Sequence, residues 1–460
     1  MTKPEKWLNW ALAAYAFLLP WQTRLLVDFS SLGGKISEYA SFSIYATDFL
    51  LLGIFLASLL APGVYTVGNK KLGFGMLAFY IVVLGSMLSA NRVEVSIFSL
   101  RNLLLIGMLY LLIQQKWARR EFLLAGFLAG GAGQALFAIA QFIFQTSPAM
   151  SWLGLASHDP AQAGTSVVEA GGMRWLRAYG SLPHPNILGG YLAVSLFIAF
   201  GFYLKLYEKV RAGFGVWTRE NLKRHIEGRQ WYFKMSWQIA ILVLTSMLLS
   251  LGLFLSFSRS AWLGFSIAWL AIMAVLIFKR IPWGWALWLK WSGFILAVLV
   301  LVFAVLPQTF LTRSSTQSRL ENQSVTTRQG LYQDAWALLK QAPFRGVGYG
   351  NMVAAVYDQL DSNRETVHDY QPVHNIYILS AVELGIIGGL VFVIFLILVL
   401  QKAFQNLLKV FTPEKTALFG MLVCLLAIGF FDHYFWTLSA GVSLLWFCIA
   451  IISNDVSERQ

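Results

Sequence analysis

Four places in this 460-residue chain hold side chains suited to chemistry. They are His184 and Asn186 in Pro183-His184-Pro185-Asn186, Arg259 in Ser258-Arg259-Ser260, Arg328, and the pair His374-Asn375. A guanidinium is permanently charged and its planar fork matches phosphate oxygens. An imidazole with a near-neutral pKa can take a proton from a hydroxyl. Together they suit transfer of a group from a phosphate-linked lipid donor to an alcohol. The leaving diphosphate would be stabilised by arginines where a metal would otherwise be needed. No His, Cys or carboxylate grouping has metal-ligand spacing, so no metal site is expected. Asp361, Glu365 and Asp369 are the carboxylates nearest His374 in sequence and read as a solvated loop. Cys424 and Cys448 lie in apolar runs, which argues against a disulfide framework.

Each residue also has a plainer reading. Arg259 could snorkel to a membrane interface, and Arg328 could be a solvated charge on a loop. His184 suits a rigid turn between two prolines, Asn186 could start a helix, and His374 with Asn375 could cap the next one. His158, His368 and His433 show no partner pattern and are expected at the surface, as is His225 in a basic loop.

The elements that must position these groups are membrane helices. Apolar residues make up 57% of the chain and charged ones 12%, against about a quarter charged in soluble proteins. Mean hydropathy is +0.62. A bilayer core needs about 20 apolar residues in helix. Candidate spans fall near 7–20, 43–61, 72–89, 95–113, 121–145, 185–204, 237–257, 260–278, 284–306, 374–400, 415–431 and 435–452. The expected fold is therefore an all-α integral membrane protein of about twelve spans, the first retained because residues 1–28 show no small-residue cleavage site. The domain reading is 1–145 (five spans), 146–184 (outer loop), 185–306 (four spans), 307–373 (large outer loop) and 374–460 (three spans).

Lysine and arginine concentrate on alternate loops: Lys70 and Lys71, Arg119 and Arg120, Lys205 through Lys234, Lys279 and Arg280, Lys402, Lys409 and Lys415. The positive-inside rule puts these loops and both termini in the cytoplasm. The net charge of +13 then sets topology and needs no nucleic acid. His374, Arg259, Arg328 and His184 all fall on the opposite, outer face.

Within 307–373, Leu331, Ala335, Leu338 and Leu339 recur at helical spacing. They predict an amphipathic helix over the outer mouth, ended by Pro343. A glycine-rich turn, Gly346 to Asn351, follows. Gly385, Gly388 and Gly389 offer a small face for close helix approach. Glu383 is a charge inside an apolar span, costly unless paired or wet. It could face a cavity or anchor packing.

His374-Asn375, nine residues, then Gly385-x-x-Gly388 resembles the signature of O-antigen ligases, which move a polysaccharide from undecaprenyl diphosphate onto lipid A-core. Leu182 to Leu192, Ser258 to Trp262, and Arg328 with Trp336, Pro343 and Gly346 to Asn351 resemble further stretches of the same superfamily, covering roughly 180–400. The resemblance implies a metal-independent, cofactor-free, inverting glycosyltransferase with a GT-C-like fold in the bacterial inner membrane, its active site periplasmic. It implies that His374 activates the acceptor hydroxyl and that Arg259 and Arg328 hold the diphosphate, with Arg313 and Arg319 as rivals to Arg328. Asn375, His184, Asn186 and Tyr349 are the further substrate-binding residues so implied. Implied partners are a lipid-diphosphate glycan, lipid A-core or another hydroxyl acceptor, and membrane lipid. O-antigen polymerases and protein O-oligosaccharyltransferases share the donor and differ in acceptor. A flippase for the same lipid is the non-enzyme alternative, and Glu383 and Arg101 are the charges it could use. Transporters usually show internal repeats and midplane polar sites. Here no repeat is evident and the polar groups gather at one face.

Overall fold

Glycine pairs shape two short hairpins first. A computed structural model describes residues 2–60, 66–214, 225–315 and 319–454, with side chains outside 212–234. Of the expected basic loop residues, Arg219, Lys223 and Arg224 lie outside the described residues. Helix α1 (Lys3–Leu18) leads into an antiparallel hairpin, β1 (Arg24–Leu32) and β2 (Lys35–Tyr45). Its two-residue turn is Gly33-Gly34, with φ of 58° and 77°. Both turn positions need positive φ, which glycine adopts without steric cost. A second hairpin, β3 (Val167–Ala170) and β4 (Met173–Leu176), turns on Gly171-Gly172 in the same way. The chain is mostly helical, as expected, and the two hairpins are the departure from all-α: a search for apolar runs is blind to short hairpins whose signal lies in their turns.

Helices α2 (Ala46–Leu59), α3 (Lys70–Ser86), α4 (Val93–Ile113) and α5 (Arg120–Phe144) precede the second hairpin. After it come α6 (Pro185–Phe214), α7 (His225–Leu255), α8 (Arg259–Phe278) and α9 (Pro282–Val305). The segment that follows folds as α10 (Pro307–Ser314), α11 (Arg319–Gln341) and the short α12 (Met352–Ala355). The chain closes with α13 (Ile376–Lys409), α14 (Pro413–Ile428), the one-turn α15 (Tyr434–Thr437) and α16 (Ser439–Ser453).

Among the described residues, eight helices are long and apolar enough to cross a membrane: α3 to α9 and α13. The other four expected spans form shorter helices, α1 (16 residues), α2 (14), α14 (16) and α16 (15). At 1.5 Å per residue these fall short of a hydrocarbon core of about 30 Å. The expected twelve thus resolve into eight helices of spanning length and four shorter ones.

Helix α6 is the hub. Its residues 185–200 are buried on every side, and it packs against α5, α7, α8 and α14, as a stretch without a polar face must. Phe127 of α5 stacks on Tyr191 of α6 at 5.4 Å and on Phe447 of α16 at 5.3 Å. Peripheral helices instead expose large apolar side chains, among them Phe74 and Ile81 of α3 and Leu296 and Val300 of α9. So much exposed apolar surface needs lipid rather than water around it.

The two ends of the bundle differ. At one end Asn9 bonds Trp117, Arg120 pairs with Glu414 and reaches Asn454, and Lys279 reaches Leu408. The beginning and end of the described chain share this basic end. At the other end the hairpins meet the loop before α4 and the segment between α9 and α13: Arg92 bonds both Ser30 and Asp358, and Arg319 pairs with Glu169.

Helix α11 buries Leu331, Ala335 and Leu338 and packs on α13. It stops at Gln341, two residues before Pro343. It also begins earlier than its apolar pattern suggested, at Arg319.

Helix α13 departs from the expectation of a continuous span. Gly385 has φ 77° and ψ 165°, which breaks the helix inside its run. The chain segment from Pro343 to Gly350 docks into the break. Val347 N donates to Val382 O, Gly348 N to Glu383 O (both 3.0 Å), and Ile386 N to Pro343 O (2.8 Å). Gly388 does serve close approach, since a Cβ there would meet Val82 of α3 at 2.6 Å. Gly385 serves the break instead, since its Cβ would fall 2.1 Å from Phe344 O. This backbone region is essentially restricted to glycine, and occupying it otherwise costs about 1–3 kcal/mol. Gly385→Ala is therefore expected to lower the unfolding midpoint of the purified protein clearly, as read by thermal denaturation in detergent. An unchanged midpoint would show that the break is not required.

Candidate active site

The N-terminus of α6 gathers the site. A Cβ on Gly189 would lie 2.8 Å from both Ala261 Cβ and Ser258 Cβ, and one on Gly190 would lie 2.3 Å from Tyr434 Oη. These two glycines let the α7–α8 corner and α15 close directly onto the start of α6. That brings Arg259 and Asp432-His433 towards Pro183-His184-Pro185-Asn186. Ser258 caps α8, accepting from Ala261 N at 3.4 Å, so Arg259 leaves from the first helical position.

His374 sits just before α13, where Asn375 is the N-cap, accepting from Tyr377 N (3.0 Å) and Ile378 N (3.1 Å). The Asn375 amide also donates to Phe430 O at 3.2 Å, tying α13 to the end of α14. His374 Nδ1 lies 3.2 Å from Pro372 O. A carbonyl only accepts, so Nδ1 carries the hydrogen and Nε2 keeps its lone pair. The His433 ring meets His374 edge-on at 4.7 Å. Ligand atoms of His374, Asp432 and His433 lie within 4.8 Å of one another.

This corrects two expectations. His433 is buried, 5% exposed, and belongs to the cluster. A grouping of metal-capable side chains does exist on this face; Asp432 and His433 are remote from His374 in sequence, which hid it. Asp432 accepts from Asn186 Nδ2 at 2.8 Å and from His433 N at 3.0 Å. His433 Nδ1 is 2.8 Å from Thr437 Oγ1. His158 is also no free surface residue, since its ring stacks on Tyr179 at 3.7 Å; His368 is exposed.

His184 has both ring nitrogens engaged. Nδ1 accepts from Asn186 N at 3.1 Å, which leaves Nε2–H to donate to Ser166 Oγ at 3.2 Å. The Asn186 side chain bridges Asp432 to Arg177, whose Nη2 donates to Asn186 Oδ1 at 2.7 Å. Arg177 also donates to Ser256 O at 2.9 Å. A relay thus runs from Arg177 through Asn186 to Asp432 beside His374. Arg177 and Asp432 escaped sequence reading because neither lies in a recognisable motif.

The arginines divide into two kinds. Arg259 Nη2 lies 2.9 Å from Glu321 Oε2, and Arg313 pairs with the other oxygen of the same buried carboxylate. Arg313 further donates to Phe257 O at 2.9 Å. Arg328, one face of α11 further along, is half-buried and has no ion-pair partner among the described residues. Its charge acts on His374, His184 and His433 alike. Arg319 is a different case, with a side chain 71% exposed and paired with Glu169.

Burial, chiefly, holds the His374 pKa below the usual histidine value, with Arg328 pushing the same way and Asp432 opposing. His433 is pushed well down by burial, then by the neighbouring imidazoles and Arg328, and His184 by burial, then by Arg177 and its other neighbours. Three neutral imidazoles therefore face a cationic group at neutral pH. His374, with an available Nε2 and a partly exposed ring, is the one placed to accept a proton.

Tyr349 lies elsewhere. It is buried, 3% exposed, with its ring edge-on to Trp436 at 5.4 Å. Glu383 is beside it, accepting from Trp436 Nε1 (2.7 Å), Gly350 N (2.8 Å) and Met352 N (3.3 Å). That resolves the open reading of Glu383: it pins the glycine-rich turn to the α13 break and also lines a pocket.

Residues 244–393 match the family model described as O-antigen ligase. The match contains Arg259, Arg313, Glu321, Arg328, His374 and Gly385. Comparison with curated proteins returned no match.

Proposed function

We propose, from the match of residues 244–393 to the O-antigen ligase family model, a glycosyltransferase that moves a glycan from undecaprenyl diphosphate to an acceptor hydroxyl, with lipid A-core as the acceptor. The observation that carries the reading is His374 beside Asp432 and His433 and within the field of Arg328, with neither His374 Nε2 nor Arg328 partnered among the described residues. His374 Nε2 takes the acceptor hydroxyl proton while that oxygen attacks the anomeric carbon. The bond from the anomeric carbon to the diphosphate oxygen breaks, and its electron pair leaves with the diphosphate. Arg328 meets the developing charge, and Arg259 and Arg313 add to it from their shared Glu321. Attack opposite the leaving group inverts the anomeric centre. An apolar crevice lined by Ile267, Leu426 and Phe430 offers a course for the prenyl chain.

The histidine–arginine end of the bundle is the periplasmic one in this reading, opposite the basic loops. A polymerase or protein O-oligosaccharyltransferase would use the same donor machinery. The flippase reading loses its two charges: Glu383 is engaged as above, and Arg101 pairs with Asp48 at 2.5 Å.

The direct test is glycan transfer by purified protein from lipid-diphosphate glycan to lipid A-core. Transfer is expected to survive excess EDTA. Arginines already neutralise the leaving group, both Asp432 oxygens are engaged, and a dication would sit against Arg328. Activity lost to chelator and restored by a divalent ion would instead assign His374, Asp432 and His433 to a metal. Ser362, exposed beyond α12, reports sidedness. A Ser362→Cys thiol is expected to label from outside the inner membrane, and labelling only after that membrane is opened would reverse the orientation.

A further inference from the structure

A second pocket adjoins the histidine pair from another side, walled by the β1–β2 hairpin, α4, the glycine-rich turn and α15. Its walls touch both histidines. Pro372 O accepts from His374, Thr437 Oγ1 bonds His433, and the Tyr39 ring meets His433 edge-on at 5.5 Å. Arg259, Arg313 and Arg328 are not among its walls.

Its lining carries no surplus of positive charge, since Glu38 and Glu383 stand with Arg24 and Arg101, whereas the arginine side does. Arg24 pairs with Glu38 at 3.1 Å, and Arg101 pairs with Asp48. Around Glu321 and Asp432, by contrast, stand Arg177, Arg259, Arg313 and Arg328. An anion therefore belongs on the arginine side and an uncharged polar ligand in this pocket. The lining mixes aromatic rings (Tyr39, Trp436) with hydroxyls, a combination that orients a ligand having an apolar face and a polar edge. Ser43 Oγ supplies an independent sign of a ligand: the residue is 7% exposed, lines the pocket, and its hydroxyl has no hydrogen-bond partner among the described residues. Such a group is costly unless something meets it.

We infer that this pocket binds an uncharged sugar ring of the acceptor and presents its hydroxyl to His374. The inference rests on the proposed glycan transfer. An inverting displacement needs the nucleophile opposite the leaving group, so a diphosphate held by the arginines leaves this pocket to the acceptor, and the donor's own sugar lies between.

The test uses the full chain in lipid nanodiscs. Saturation-transfer NMR with a panel of neutral methyl hexosides is expected to detect binding. The affinity should fall about tenfold in Tyr39→Ala and in Ser43→Ala, the loss of one ring or hydroxyl contact. Ser43→Ala removes only an unpartnered hydroxyl, so its unfolding midpoint should match the parent. Inorganic pyrophosphate and Arg328→Ala should leave hexoside binding unchanged. In transfer assays, the same two pocket variants should raise KM for acceptor and not for donor. Absence of hexoside binding, or competition by pyrophosphate, overturns the pocket. A rise in donor KM alone assigns it to the donor sugar and overturns the acceptor assignment. If the parent protein transfers no glycan, the proposed reaction fails, while the hexoside titration still decides the pocket.

Discussion

His374→Ala is expected to lower glycan transfer by about 10²–10⁴-fold, the usual worth of a positioned general base, with expression and membrane insertion intact. The side chain precedes the first residue of α13, and Asn375 rather than His374 caps that helix, so its removal leaves the helix start in place. The pH profile adds a readout that loss of packing would not produce. Burial and Arg328 hold the His374 pKa below the ordinary histidine value. The base form is therefore retained as pH falls, and the acid limb of kcat/KM should lie below about pH 6.5. Asp432 opposes that shift, so Asp432→Asn should move the limb further down. Near-parental turnover in His374→Ala would remove this residue from the mechanism.

Arg328→Ala is expected to cost about 10²–10³-fold in kcat, comparable to removing one group that stabilises transition-state charge. Arg328→Lys should recover only part of it, because the ammonium keeps the charge and loses the planar fork. The prediction is stronger for Arg328 than for Arg259, whose charge is already partly answered by Glu321. Arg328→Ala also removes a positive neighbour of His374. That raises the His374 pKa, so the acid limb should shift to higher pH in this variant. Arg319→Ala is the control: its side chain is largely exposed and pairs with Glu169, and transfer should be unchanged. Parental rates in both Arg328→Lys and Arg259→Lys would make diphosphate clamping by these guanidiniums untenable. An unshifted acid limb in Arg328→Ala would separate Arg328 from His374.

The sequence was informative wherever the relevant force is local. Long apolar runs located the helices, because a bilayer core sets a minimum apolar length. Helical spacing of Leu331, Ala335 and Leu338 gave the amphipathic helix with the apolar face that α11 buries. Short hairpins escaped because two adjacent glycines, not a periodic run, specify them. Gly385 and Gly388 looked alike as small residues, yet one breaks α13 and the other admits α3. That difference depends on the backbone φ, which residue type permits but does not dictate.

By itself, then, the sequence determined a membrane protein with basic residues on alternate loops and with histidine, arginine and asparagine at the opposite helix mouths. Those are properties of residue type and of neighbours along the chain. Tertiary structure alone decided which of these groups meet. It joined His433 and Asp432 to His374, committed Asn186 to a bridge between Arg177 and Asp432, and gave Glu321 to Arg259 and Arg313 while leaving Arg328 without a carboxylate among the described residues. It also sent Tyr349 to a separate pocket. The physical reason is that these contacts join elements far apart in the chain. Close approach at Gly189 and Gly190 and the unwound turn at Gly385 create them, and pairings of that kind leave no periodic trace in the sequence.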